Sequence, residues 1–257
     1  MILRRITEHV KAQNWIAVGI DFLIVVFGVF IGLQVNTWND ERTARATSKT
    51  YYARLSADLA SETKTRLTRI EYYEKTKRHA VAAIEALDNN DQPLGVDFLV
   101  DAYQATQRWN YEPHRTTYDE LLSIGIATAI PDVELRSQLA SLHVNLQTST
   151  ITQKEAKPFR DQLRRFMPHR IQDAIRTQCG DEYAFGKNGL VLLSLPDDCT
   201  LDLKPSEIAL GVAALQSYIG LEMDLAQHVS VLDANLVSLR AYIEPIQKIS
   251  DQLDANL

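Results

Sequence analysis

Turn-forming residues are scarce in this chain. Its 257 residues include ten glycines and eight prolines, with glycine at little more than half of the roughly 7% usual in globular proteins. So few turn-formers argue against sandwiches, barrels and dinucleotide-binding loops. Two cysteines, Cys179 and Cys199, exclude a cysteine-rich zinc fold and a disulfide-dense small domain. Positive charge is also short: 27 basic residues face 33 acidic ones, a net charge of −6. That balance disfavours nucleic acid as a partner, because bulk positive charge supplies most of such binding. Disorder along the whole chain is excluded by a hydrophobic content of 46% against 23% charged residues.

Chemical signatures are missing as well. The chain has no H-E-x-x-H, no phosphate-binding G-x-x-x-x-G-K, no G-x-G-x-x-G and no G-x-S-x-G. Its six histidines, His9, His79, His114, His143, His169 and His228, form no pair at one-turn spacing, so no metal site and no cofactor is expected. His114, Tyr118, Glu120 and His143 are the one set that folding might bring together. A buried, hydrogen-bonded histidine accounts for each equally well, and the chain is expected not to be an enzyme.

What is present is a long apolar run. Between Trp15 and Trp38 lie twenty-two residues, IAVGIDFLIVVFGVFIGLQVNT, with Asp21 the single charge. At 1.5 Å per residue they span roughly 33 Å, the thickness of a bilayer's hydrocarbon core. Trp15 and Trp38 stand where amphipathic rings favour the two interfaces. The run exceeds the roughly 7–15 residues of a signal-peptide core and no A-x-A follows it, so it reads as an uncleaved anchor. Asp21, Val25, Gly28, Gly32 and Asn36 follow one another at three or four residues and share one face. Gly28 and Gly32 form a GxxxG pair that lets another helix approach closely. A lipid-facing carboxylate is costly there, so this face is expected to meet protein: another transmembrane subunit, or a second copy.

Flanking charges do not orient the anchor, because Arg4, Arg5 and Lys11 before it match Arg42, Arg45 and Lys49 after it. The cysteines do. A lone pair twenty residues apart suits a bridge in an oxidising compartment, which places the bulk of the chain outside the cytoplasm. The expected layout is a cytoplasmic tail over 1–14, a transmembrane helix over 15–38, a periplasmic helical domain over 39–245 and a tail over 246–257.

The domain reads as all-α. Tyr52, Leu55, Leu59, Ile70, Tyr73, Val81, Ile84 and Leu87 keep helical spacing from Tyr51 to about Leu87, and Asp88-Asn-Asn-Asp-Gln-Pro93 stops that helix. A shorter helix is expected from Val96 to Trp109. Thr117-x-x-Glu120 has capping-box spacing, and Gly125 suits the end of the helix that follows. Pro131-Asp-Val-Glu starts another, running to about Thr150, with a further one continuing past Lys157 to Thr177. Residues 179–204 interrupt the pattern, as a strand, a pair of strands or a loop clipped by a disulfide. Tyr218, Leu221, Leu225, Leu232, Leu236, Leu239 and Ile243 then mark one long helix up to Pro245. The expected architecture is an antiparallel helical bundle after an N-terminal transmembrane helix. Residues 154–176 carry seven basic against three acidic side chains, and Lys157, Arg160 and Arg164 share a face able to engage an anion or an acidic partner.

The run GIDFLIVVFGVFIGLQVNTWNDER, with Tyr51-Tyr-Ala-Arg-Leu and Thr117-Tyr-Asp-Glu-Leu-Leu-Ser-Ile-Gly, resembles a group of uncharacterised bacterial single-pass membrane proteins. That group shows a glycine-containing anchor ending in N-x-W-N ahead of a helical domain. The resemblance implies the bacterial inner membrane with the bulk in the periplasm, and brings no catalytic residue. The expected function is a non-enzymatic accessory or scaffold subunit of a membrane complex. Two alternatives are a periplasmic ligand-sensing bundle that signals through a partner, and a proton-relay subunit using Asp21 in a stator-like assembly.

Overall fold

The computed structural model describes residues 15–89, 91–154, 158–186 and 189–257, without the side chains of 15–19, 21, 127–128 and 151–154. The expected tail 1–14 lies outside the described residues. Contacts divide the chain into a unit up to Tyr51 and a unit from Tyr52 to Leu257. Helix α1 (Trp15–Asp88) contributes to both. The expected span and the expected helix from Tyr51 are therefore one helix, since no glycine or proline falls between Leu33 and Asp88 to interrupt it.

The second unit is helical apart from one hairpin. After α1 come α2 (Val96–Gln104), α3 (Thr116–Ile124), α4 (Ile126–Ala129), α5 (Val133–Lys154), α6 (Pro158–Phe166) and α7 (His169–Cys179). Strands β1 (Glu182–Phe185) and β2 (Val191–Ser194) follow, then α8 (Pro205–Gln216), α9 (Leu221–Ala241) and α10 (Ile243–Asp254). The all-α reading with a disulfide-clipped hairpin holds.

On α1, residues 52, 55, 59, 62, 66, 69, 73, 76, 80 and 83 alternate steps of three and four, and every one is buried. The two ends of that stripe are apolar. Ala80 and Ala83 pack with Phe98 and Leu99 of α2, Leu163 of α6, Ile171 of α7 and Leu225 of α9. Nearer the middle, Tyr72 and Tyr73 pack with Trp109, Leu195 and the α9 leucines Leu232, Leu236 and Leu239. Between Leu59 and Tyr73 the inward positions are Glu62, Arg66 and Arg69. Large charged side chains are almost never fully buried unless partnered.

Several helix ends differ from the sequence expectation, each for a local reason. Helix α2 stops at Gln104 rather than Trp109, because its last turn is captured by tertiary bonds. The Gln104 amide donates to the Cys179 carbonyl at 2.6 Å, and the His228 Nε2 meets the Ala105 carbonyl at 2.8 Å. The helix expected past Lys157 is two, α6 and α7, broken at Pro168; Gln172 Nε2 sits 2.7 Å from both the Arg164 and Met167 carbonyls freed by the break. The long C-terminal helix is also divided. Gly220 adopts φ +91° between α8 and α9, a conformation that favours glycine. Pro245 lies in the first turn of α10, where its missing N–H costs nothing. The segment 246–257 is accordingly helical as far as Asp254, not a tail: Ile246, Ile249 and Leu253 are buried, and α10 packs on α5. Helix α5 starts at Val133 and not at Pro131, because Asp132 caps it, its Oδ1 accepting the Glu134 and Leu135 amides at 2.9 and 3.1 Å.

Strands β1 and β2 pair as the hairpin, antiparallel with Glu182 opposite Ser194 and Phe185 opposite Val191. The Cys179–Cys199 disulfide closes the loop that contains it, with the two Cα atoms 5.4 Å apart. Lys75 of α1 holds the far side, donating to the Leu195 carbonyl at 2.8 Å and pairing with Asp197 at 2.6 Å. Loop-closure entropy for a crosslink of this span corresponds to roughly 3 kcal/mol. Cys199→Ser should lower unfolding free energy by about that amount in urea denaturation under oxidising conditions, and reduction of the native chain should reproduce the loss.

Candidate functional site

In the first unit, α1 is long and apolar enough to cross a membrane. None of its described apolar residues in that stretch is buried; Val25, Leu33 and Trp38 are each more than half exposed. A Cβ placed on Gly28 or Gly32 would meet nothing within 4 Å, so the helix backbone is open to close approach there. Asn36, on the same face, donates to Asp40 Oδ2 at 3.1 Å. The side chains of Trp15 and Asp21 lie outside those described.

In the second unit the chemistry concentrates on the charged part of the α1 stripe. Opposite it runs the irregular segment 105–115; the amides of Ala105, Thr106 and Gln107 still close on α2, and those beyond belong to no helix. Buried amides need acceptors, and α1 supplies them in order. Arg54 pairs with Glu120, Asp58 Oδ2 accepts the Thr117 amide at 3.0 Å, and Glu62 Oε2 accepts the His114 amide at 3.1 Å. Further along, the Tyr73 hydroxyl accepts the Trp109 amide and donates to the Trp109 carbonyl, each at 3.2 Å. Numbers rise along α1 as they fall along the partner, so the two run antiparallel as a polar ladder. The expected capping box is absent for this reason. No side chain caps α3 from within; Asp58 takes the Thr117 amide, and Glu120 is held by Arg54.

Glu62 is the centre of the ladder. It has no solvent exposure, and its Oε1 accepts from the Arg66 Nε at 2.7 Å while Oε2 also accepts the Tyr111 hydroxyl. Burial pushes the Arg66 guanidinium down, and Glu62 opposes that fall. Burial, reinforced by the Glu62 charge, pushes the Tyr111 phenol far up, so it remains a neutral donor. Arg66 lies 5.2 Å from the Tyr242 ring centroid and Arg69 lies 4.9 Å from that of Tyr111, both within cation–π range.

Of the sequence-selected residues, Arg160 and Arg164 turn inward. Arg160 donates to the Thr106 carbonyl, and Arg164 donates to Thr106 Oγ1 at 2.9 Å and Gln107 Oε1 at 3.1 Å, above the Tyr103 ring. Burial, then the Arg160 charge, lowers Arg164 to about 10. Both therefore fasten the end of α2 instead of forming an outward anion patch; Lys157 lies outside the described residues. The four residues considered as a convergent set separate. Tyr118 and His143 stack with centroids 4.1 Å apart, whereas His114 lies beside Thr65 and Glu120 pairs with Arg54. His143 is buried, and neither ring nitrogen has a hydrogen-bond partner. Burial, with Arg115 next, lowers its pKa to about 4. Among the described residues, no three His, Cys, Asp or Glu side chains are placed to hold a metal ion.

Sequence reasoning passed over Asp58, Glu62, Arg66 and Arg69. The signal was available: they occupy positions at or beside the inward spacing set by Leu55, Leu59 and Tyr73. No family model, curated protein or solved structure matches the chain.

Two predictions follow from these environments. Glu62→Gln leaves Arg66 buried without its counter-charge and should cost about 3–5 kcal/mol. Glu120→Gln, at a half-exposed pair, should cost at most about 1 kcal/mol; urea unfolding of the two variants measures the contrast. For His143, the folded pKa lies below the unfolded 6.5, so the unfolded chain takes up the proton first. Its contribution to stability is complete above pH 6.5 and is lost as pH falls toward 4, by on the order of 3 kcal/mol. His143→Leu should remove that part of the pH dependence in thermal unfolding between pH 7 and pH 4.

Proposed function

We propose that this chain is a membrane-anchored helical protein of the bacterial inner membrane and serves as a non-enzymatic accessory or scaffold subunit of a membrane complex. The observation that carries the reading is the apolar stretch of α1, none of whose described residues is buried. That much apolar surface needs lipid or protein around it. The open backbone at Gly28 and Gly32 favours a helix as part of the cover. Asp21, Val25 and Asn36 complete the face toward another transmembrane subunit or a second copy. The Cys179–Cys199 bridge supports a periplasmic position for the domain, with the N-terminus cytoplasmic.

The domain's interior is in keeping with bracing more than with turnover. Its buried charges Glu62 and Arg66 are bound to each other, and Arg160 and Arg164 hold backbone and amide groups around Thr106. Gly28→Leu and Gly32→Leu should each reduce recovery of the associated membrane subunit, or of a crosslinked homodimer, at least tenfold in mild detergent. The thermal transition of the domain should stay unchanged in both. Association at the native level in both variants would discard the reading.

A further inference from the structure

Within the second unit a cavity opens between the start of α6 and one face of α9. Asp224, Gln227 and Val231 line it at steps of three and four along α9, and Pro158, Phe159 and Gln162 line it from α6. Its volume is about 180 Å³, more than the roughly 150 Å³ that accommodates a benzene ring. Phe159 is held in the wall by stacking on the His228 ring, with centroids 4.8 Å apart, and His228 itself meets the Ala105 carbonyl at 2.8 Å. Among the described lining residues Asp224 is the one carboxylate, and none is lysine or arginine.

The surroundings of Asp224 sharpen the chemistry. The Tyr218 hydroxyl, steadied by the Phe166 ring stacked 4.8 Å away, stands between Gln162 Oε1 at 2.6 Å and Asp224 Oδ2. Its single hydrogen is shared by those two acceptors, and Asp224 Oδ1 has no partner among the described residues. A half-buried carboxylate oxygen without a donor favours a cation beside it. One carboxylate is too few for calcium or magnesium, which gather about six or more oxygens. A primary ammonium asks for less: one charged acceptor, with the amide oxygen of Gln227 for a further N–H. Phe159, Val231 and Pro158 offer apolar surface to whatever carries the nitrogen, and an aromatic ring face attracts the charge as well.

We propose that this cavity binds a small primary amine in its ammonium form, the nitrogen against Asp224 and an apolar body the size of a benzene ring against Phe159 and Val231. The site lies wholly within residues 52–257 and does not rest on the reading of the anchor. The test is a titration of the full chain in mild detergent at pH 7 with benzylammonium chloride, benzyl alcohol and sodium benzoate, which share a ring and differ in charge. Sodium chloride at matched ionic strength is the control. Benzylammonium should raise Tm saturably, by about 5–10 °C at about hundredfold excess over its dissociation constant; the alcohol, the benzoate and sodium chloride should not. Asp224→Asn keeps an acceptor for Tyr218 and should weaken the binding about tenfold. Gln227→Lys, at an exposed position, sets a cation of the chain's own beside Asp224 and should abolish it. No saturable shift, an equal shift with the alcohol, the benzoate or sodium chloride, or native affinity in either variant would overturn the proposal.

Discussion

The carboxylate of Glu62 is the point on which the helical domain depends. It has no exposure to water, so its charge must be met inside the protein. Arg66 meets it from one turn along the same helix, and the Tyr111 hydroxyl and the His114 amide meet it from the irregular segment. The segment in turn carries Trp109 into the core with Tyr72 and Leu232. One side chain thus joins the longest helix to the irregular segment between α2 and α3. Removing either partner leaves the other buried, which is why such pairs are costly to break even where they add little net stability.

Much of the architecture was legible from residue spacing. The apolar run, the stop after Asp88, the presence of a helix after Pro131, the leucines of α9 and the pairing of Cys179 with Cys199 all follow from local chemistry. The failures share one origin. Where α2 ends, and where α3 takes its cap, is decided by partners distant in sequence: Cys179 and His228 for the first, Asp58 and Arg54 for the second. A capping box at Thr117 and Glu120 is a sound local inference that α1 overrides.

The candidate site was harder to read for a related reason. A search for apolar periodicity treats a charged residue as a gap, and from Leu59 to Ile70 the stripe seemed to lapse. It does not lapse; Glu62, Arg66 and Arg69 keep its spacing and are as buried as the leucines beside them. The basic cluster of 154–176 misled in the opposite sense. Its charge count suggested a surface, whereas Arg160 and Arg164 lie against Thr106 and the Tyr103 ring.

The order of the ladder also sets alignment. With no glycine or proline between Leu33 and Asp88, nothing in the α1 backbone resists a slide of the opposing segment by one helical turn. The charges do. Such a slip toward the next rung would bring Glu120 from Arg54 to Asp58, carboxylate against carboxylate, and would strip the His114 amide of Glu62. The sequence Arg, Asp, Glu, Tyr along one face of α1 therefore works as a key with unequal teeth, accepting the 109–120 segment in a single register.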